Sequence, residues 1–197
     1  MNANQMGLFD ELPDLPEGFR YSPNLITPSA ETDLLNNLQT LSFHDFELRG
    51  FRGHRRIVTF GVKSPGEPLQ AGDLPSFLLP LREKAAHFAG LSPFALKHVL
   101  ITEYRPGAGI GWHRDKGYFK DIIGVSLASS CQFRFRQREG SGWIRRSVML
   151  EPRSVYLLRN SARSSWEHSI PGVERLRYSI TFRSMSGLSS PSRSYEK

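Results

Sequence analysis

An intrachain disulfide is excluded, because the chain has a single cysteine, Cys131. One cysteine fits a reducing compartment, and a cytoplasmic location is expected. Long apolar runs are also missing, since none approaches the ~20 residues that a bilayer-spanning helix needs. The first residues, Met1 to Glu11, lack the basic end and apolar stretch of a signal peptide. Acidic residues are in deficit: 19 stand against 26 Lys and Arg, a formal net charge of +7. That balance points toward a polyanionic partner, nucleic acid first, although it also serves general solubility. Internal repeats are absent. A length of 197 residues fits one domain with a substantial core, and a monomer is expected.

Residues 1–17 hold Pro13 and Pro16 with Asp10, Glu11 and Asp14 among their acidic side chains, and read as a flexible arm. Within it, Gln5-Met6-Gly7-Leu8-Phe9 resembles the short peptide with which bacterial replication and repair proteins bind the sliding clamp. Such a clamp is a candidate partner; the alternative is that Leu8 and Phe9 pack on the protein's own surface. A short strand is expected within residues 18–26. Thr27-Pro28 reads as a helix start, followed by Leu34, Leu35, Leu38 and Leu41 at helical spacing. Residues 46–62 interleave Arg49, Arg52, His54, Arg55 and Arg56 with Phe46, Phe51 and Phe60. That pattern suits phosphate contact with base stacking, or a solvated hairpin. A second helix is expected over residues 74–88, with Pro80 in its first turn or kinking it.

From Lys97 onward the texture is β. Short runs cover residues 99–104, 122–127, 131–136, 147–150, 154–158, 166–170 and 178–182, which indicates a sandwich or barrel. The tail beyond residue 184 is rich in Ser, Gly and Pro and is expected to be disordered. Cys131 reads as a core residue. Trp112, Trp143 and Trp166 could wall a pocket, but packing is the commoner role of a Trp. Arg159 and Arg163 could meet phosphates or lie in a solvated loop.

Chemistry concentrates after a Gly-rich turn, in His113-Arg114-Asp115. Side chains two apart on a strand share a face, so His113 and Asp115 can meet one metal ion. His168, expected on a separate strand, is the candidate third ligand. Two histidines and one carboxylate form a facial site with open positions, suited to non-haem Fe(II). Arg177 and Arg183, an even number of residues apart, also share a face of one strand. Two arginines facing into a barrel need anions, and a dicarboxylate fits guanidinium forks.

These residues carry a resemblance. His-x-Asp, a distant His, Arg177-Tyr178-Ser179-Ile180-Thr181-Phe182-Arg183 and the preceding Tyr104-Arg105-Pro106-Gly107 together resemble the AlkB family of Fe(II)- and 2-oxoglutarate-dependent dioxygenases. The resemblance implies an α+β, mainly β fold: a double-stranded β-helix (jelly roll) over residues 18–184, with flanking N-terminal helices and a nucleotide-recognition lid. It implies Fe(II) on His113, Asp115 and His168, with 2-oxoglutarate and O2 as co-substrates. Arg177 would hold the distal carboxylate of 2-oxoglutarate, Arg183 would sit near its chelating end, and Tyr104 would hydrogen-bond it. Thr102 and Ser179 stand where the family often has Asn, and Gly117 stands where its best-known member has an acidic residue. Substrate contacts are expected from Arg52, Arg55, Arg56, Phe60 and Tyr118. The implied reaction is oxidative dealkylation of N-methylated bases in single-stranded DNA or RNA, with DNA alkylation repair as the role. It releases formaldehyde, succinate and CO2. The same chemistry on tRNA or protein, or a non-catalytic metal-containing binding module, are the other readings.

Overall fold

A computed structural model describes residues 15–48, 51–62, 66–68, 70 and 73–186. The Gln5–Phe9 peptide, Arg49 and the chain beyond residue 186 lie outside the described residues. Strand β1 is Phe19–Ser22 and helix α1 is Pro28–Gln39. Thr27 caps α1: its hydroxyl oxygen accepts from the Ala30 N–H, and Pro28 occupies the first turn, where a missing N–H costs nothing. Strands β2 (His44–Leu48) and β3 (Phe51–Gly61) pair antiparallel. The second helix begins as a 3-10 turn at Ser76–Leu78 and continues as α2, Leu79–Ala89. Pro80 therefore sits in the first α-helical turn, where it is tolerated.

Strands β4 (Leu96–Tyr104), β5 (Ile110–His113), β6 (Phe119–Leu127), β7 (Cys131–Glu139), β8 (Gly142–Leu150) and β9 (Val155–Leu158) follow. A short helix, α3 (Asn160–Ser164), precedes β10 (Glu167–Ile170) and β11 (Arg177–Met185). Several of these differ from the sequence expectation: β5 is not among the expected runs, β8 begins at Gly142 and not at 147, and two further differences lie in the later part of the chain. The α3 turn occupies a stretch whose composition suggests a solvated loop. The final strand runs past residue 184 to Met185, and the Ser186 N–H donates to the Tyr118 carbonyl.

The strands form a seven-stranded sheet, ordered β1-β9-β6-β11-β4-β3-β2, and a four-stranded sheet, ordered β5-β10-β7-β8. Every pairing within the two sheets is antiparallel, and the sheets face each other as a double-stranded β-helix. The large sheet is apolar on its helix side. Ile101, Ile123, Val125, Ile180 and Phe182 pack with Leu34 and Leu38 of α1 and Leu81 and Ala85 of α2. Its inner face is mixed. Thr102, Ser179 and Ser126 stand in one row across β4, β11 and β6, because Ser179 is in register with both neighbours. Between the sheets, Phe133, Phe135, Tyr156, Leu158 and Leu150 form a second core.

One glycine is fixed by this second core. Gly124 is opposite Tyr156, and a Cβ on it would fall 2.1 Å from the tyrosine ring. Gly124→Ala is expected to destabilise by about 1–3 kcal/mol, because the ring must be displaced against Phe133 and Phe19. Urea unfolding of both proteins checks this.

On the helix side, Arg56, Glu103 and Tyr178 align across β3, β4 and β11. Arg56 grips Glu103 with Nε and Nη2, both at 2.8 Å, and the Tyr178 hydroxyl donates at 3.1 Å. Burial alone would raise the Glu103 pKa; the bonds from Arg56 and Tyr178 outweigh it and hold the carboxyl below 4.5. A carboxyl lowered in the folded state stabilises fully above its unfolded value, and that contribution is lost as pH falls through the folded value. Glu103→Gln is therefore expected to cost roughly 1–3 kcal/mol at neutral pH. It should also flatten the dependence of stability on pH below 4.5, which denaturant titrations at several pH values would read.

Candidate active site

The site is assembled by the turn that follows Tyr104. Gly107 has φ +85°, a left-handed conformation that glycine adopts without penalty. The Gly107 N–H donates to the Val173 carbonyl at 2.7 Å, and the Val173 N–H returns to the Ala108 carbonyl at 2.9 Å. Gly109 lies so close to β10 that a Cβ on it would be 2.6 Å from the Ile170 carbonyl oxygen. These contacts lay β5 beside β10 with His113 directly opposite His168.

The two imidazole rings stand 4.3 Å apart between centroids. His113 Nδ1 is 2.9 Å from the Gly111 carbonyl, which can only accept, so Nδ1–H donates there and Nε2 is the ring atom turned to the site. His168 is buried, with Phe133 stacked on its ring at 5.3 Å. Burial, then the neighbouring His113, pushes its pKa down to about 3, so this imidazole is neutral at pH 7 and able to coordinate.

Asp115 does not share a strand with His113. His113 ends β5, and the aspartate lies beyond it. What brings Asp115 inward is Arg183, whose Nη2 and Nε donate to Oδ1 at 2.9 and 3.2 Å. The other oxygen, Oδ2, stands 3.5 Å from His168 Nε2. Burial would raise Asp115; the Arg183 charge and then His168 outweigh it and hold the carboxyl at about 2. One potential ligand atom from each of His113, Asp115 and His168 lies within 4.8 Å of the others. Two imidazole nitrogens and one carboxylate oxygen are the donor set that fits a non-haem Fe(II) ion.

Arg177 lies on the same inward face of β11 and is fully buried. Its Nε donates to the Ser126 hydroxyl at 3.2 Å, and its guanidinium carbon is 5.1 Å from the Tyr104 ring. Nη1 and Nη2 have no hydrogen-bond partner among the described residues. A buried guanidinium with two parallel donors unused fits a carboxylate, as 2-oxoglutarate would supply. Tyr104, Thr102 and Ser179 are buried nearby, in register with Arg177 and its neighbours on β11. Ser126, absent from the residues expected at the site, completes this polar wall. Its one signal in the sequence is a hydroxyl between Val125 and Leu127 in the otherwise apolar run 122–127.

The expected substrate contacts separate by strand alternation. Arg55 is in register with Tyr104, stacks on Phe46 at 3.8 Å, and has its pKa lowered by burial. Arg56 points the opposite way and is engaged by Glu103. Phe60 shares the Arg56 face and packs on the core beneath the helices, so it does not face the triad. Tyr118 packs at the edge of the inner core beside Phe119, at 4.6 Å between ring centroids. Arg52 is placed by its backbone alone, in β3. Arg159 and Arg163 are not phosphate contacts: Arg159 pairs with Asp121, and buried Arg163 donates to the Phe119 and Lys116 carbonyls. A cleft of about 550 Å³ reaches Asp115 past Arg114, Gly117 and Lys120.

Comparison with known proteins agrees with this geometry. The family model of the 2OG-Fe(II) oxygenase superfamily matches residues 18–183. An Arabidopsis thaliana protein described as an alkylated DNA repair protein ALKBH8 homolog is 27% identical over 187 residues, covering 84% of this chain and 54% of that protein. The probable RNA/DNA demethylase ALKBH6 of Danio rerio is 25% identical over 173 residues, covering 81% of this chain and 72% of that protein. The chain thus spans about half the length of the Arabidopsis relative. Among solved structures, OsALKBH1 shares the fold with a TM-score of 0.64 at 16% identity, covering 84% of this chain and 97% of that one. The family's chemistry uses Fe(II), 2-oxoglutarate and O2, and the His113, Asp115 and His168 cluster fits that metal. By its sequence match the chain belongs to the 2OG-Fe(II) oxygenase superfamily, within which it is similar to AlkB-like proteins.

Proposed function

We propose that this protein is an oxidative dealkylase of N-methylated bases in nucleic acid, with 1-methyladenine and 3-methylcytosine in DNA as its first substrates and alkylation repair as its role. The observation that carries the oxygenase part is Arg177, a buried guanidinium with two unused donors in the same barrel as the triad. In this reading His113 Nε2, Asp115 Oδ2 and His168 Nε2 hold Fe(II). Arg177 holds the distal carboxylate of 2-oxoglutarate, with the Tyr104 hydroxyl beside it and Thr102 and Ser179 along the wall. Bound there, Fe(II) with 2-oxoglutarate and O2 supplies the oxidising power that hydroxylates an N-methyl carbon, giving succinate, CO2, formaldehyde and the bare base. Arg183 keeps Asp115 ionised and turned toward the two imidazoles.

Three features support a nucleic acid over a protein substrate. The chain carries a net charge of +7. Arg55 stands beside Tyr104 on the inner face of the hairpin strand, where it can meet a phosphate. Two relatives are described as acting on alkylated DNA or on RNA and DNA. A base must leave its stack to reach a metal held inside a barrel. The test is incubation with methylated oligonucleotides, Fe(II) and 2-oxoglutarate, followed by mass spectrometry of the bases. Loss of the methyl group with matching succinate is expected; succinate without demethylation of any oligonucleotide would move the substrate elsewhere.

Replacing His168 by Ala is expected to abolish succinate formation while circular dichroism retains the fold; near wild-type turnover would remove His168 from the site. Arg177→Lys is expected to weaken 2-oxoglutarate binding roughly tenfold to a hundredfold, because an ammonium cannot present two parallel donors. Calorimetry on the metal-loaded protein reads this directly, and an unchanged affinity would reassign the clamp.

A further inference from the structure

The outer face of the four-stranded sheet carries a feature that the reaction does not use. Alternation places Arg134, Arg136 and Arg138 of β7 outward, since Phe133 and Phe135 point into the core between the sheets. On β8, Trp143 and Arg145 share that outward face, opposite Arg138 and Arg136. Trp112 joins them from β5, and the cations and rings interleave. Arg134 and Arg136 lie 5.1 and 4.6 Å from the Trp112 ring, and Arg136 and Arg138 lie 4.2 and 5.5 Å from the Trp143 ring. Arg136 is thus held against two indoles at once.

Stacking fixes a guanidinium plane while leaving its N–H edges available, so arginines held this way are preorganised for bidentate contact with phosphates. Among the described residues, the carboxylate of Glu167 on this face accepts from Arg136 Nε at 2.6 Å, and Arg134 Nε goes to the Ser169 hydroxyl at 3.1 Å. Arg138 and Arg145 are exposed. Four arginines against one carboxylate leave this surface strongly positive, and its complement is a polyanion. Position says which kind. Trp112 immediately precedes His113 on the edge strand β5, so one residue faces outward and the next faces the triad. The face therefore lies one edge strand away from the triad.

We propose that this arginine–tryptophan face is a phosphate track for the single polynucleotide strand flanking the reacting base. The assignment rests on the dealkylase reading for the direction in which the strand leaves, and on the side-chain stack itself for its chemistry. The face serves DNA and RNA alike, since it reads phosphates and not sugars.

The experiment measures binding of unmodified single-stranded 15-mers of DNA and of RNA to the full chain by fluorescence anisotropy over a salt series. It is run beside wild-type dealkylation of a methylated 15-mer. The double substitution Arg138→Ser with Arg145→Ser is expected to reduce the slope of log K against log salt by roughly 1.4, about 0.7 for each phosphate no longer neutralised. Trp143→Leu is expected to weaken binding severalfold with the slope kept, because the charges stay and only their preorganisation is removed. Should Trp143→Leu fail to fold, the exposed arginine pair still decides the matter. A slope unchanged in the double variant while the wild type dealkylates overturns the track and leaves the dealkylase standing. A reduced slope with no dealkylation by the wild type upholds the track and overturns the dealkylase. Absence of binding to either strand overturns the track, and so does an equal reduction on the matching duplex, which would make the face a general backbone contact.

Discussion

Two guanidinium groups face into the barrel from β11, and their burial constrains everything around them. A buried cation without a partner costs several kcal/mol. Arg183 meets that cost with Asp115 Oδ1, and this pairing turns the remaining carboxylate oxygen toward His168. A residue beyond the end of β5 thereby becomes the third corner of the triad. Arg177, nearer the strand's start, is answered only in part, by Ser126 on Nε. One strand thus organises both ends of the site: where the chain supplies an anion, the Asp115 carboxylate is fixed beside the two imidazoles, and where it does not, two guanidinium nitrogens are left without a partner among the described residues.

That arrangement depends on a sheet with opposite polarity on its two faces. The residues of β11 alternate Tyr178, Ile180 and Phe182 toward the helices with Arg177, Ser179, Thr181 and Arg183 inward. The apolar set locks onto α1 and α2 and pins the register, since a slip of one residue would drive both arginines into the helix-side core. The geometry of the inner wall is therefore secured by packing on its far side. Glu103 with Arg56 and Tyr178 adds a polar clasp across the same three strands at their helix-side surface.

Much of this is legible from the residues. Period-two alternation in 177–183 puts two arginines on one face, and a shared face of buried arginines needs anions whichever fold carries them. The triad's composition is legible for the same reason, but the route by which Asp115 reaches it is not. Strand alternation is the wrong cause, because β5 stops at His113 and the long-range pair with Arg183 positions the carboxylate instead. In the hairpin, the density of charge misleads unless each charge is assigned to a face. Arg55 and Arg56 are adjacent, so they must point to opposite sides, and Phe60 shares parity with Arg56. Applied there, alternation assigns Phe60 to the core and only Arg55 to the inner face. Arg159 and Arg163 give no local signal, since their acceptors, Asp121 and the Phe119 and Lys116 carbonyls, are distant in sequence.

The tryptophans follow from the same alternation, read across strands. Trp112 and His113 are consecutive, so a strand that aims the histidine inward must place the tryptophan outside. The same holds for β7, where Phe133 and Phe135 fill the core and Arg134, Arg136 and Arg138 are left outside. Cations so close together repel one another unless something offsets it. The indoles of Trp112 and Trp143 do so through their ring faces, and Glu167 neutralises only one of the charges. Had the sheet needed its outer face merely solvated, uncharged polar residues or alternating signs would have served without that repulsion. A row of like charges held flat between aromatic rings keeps an electrostatic cost that a bound polyanion would relieve.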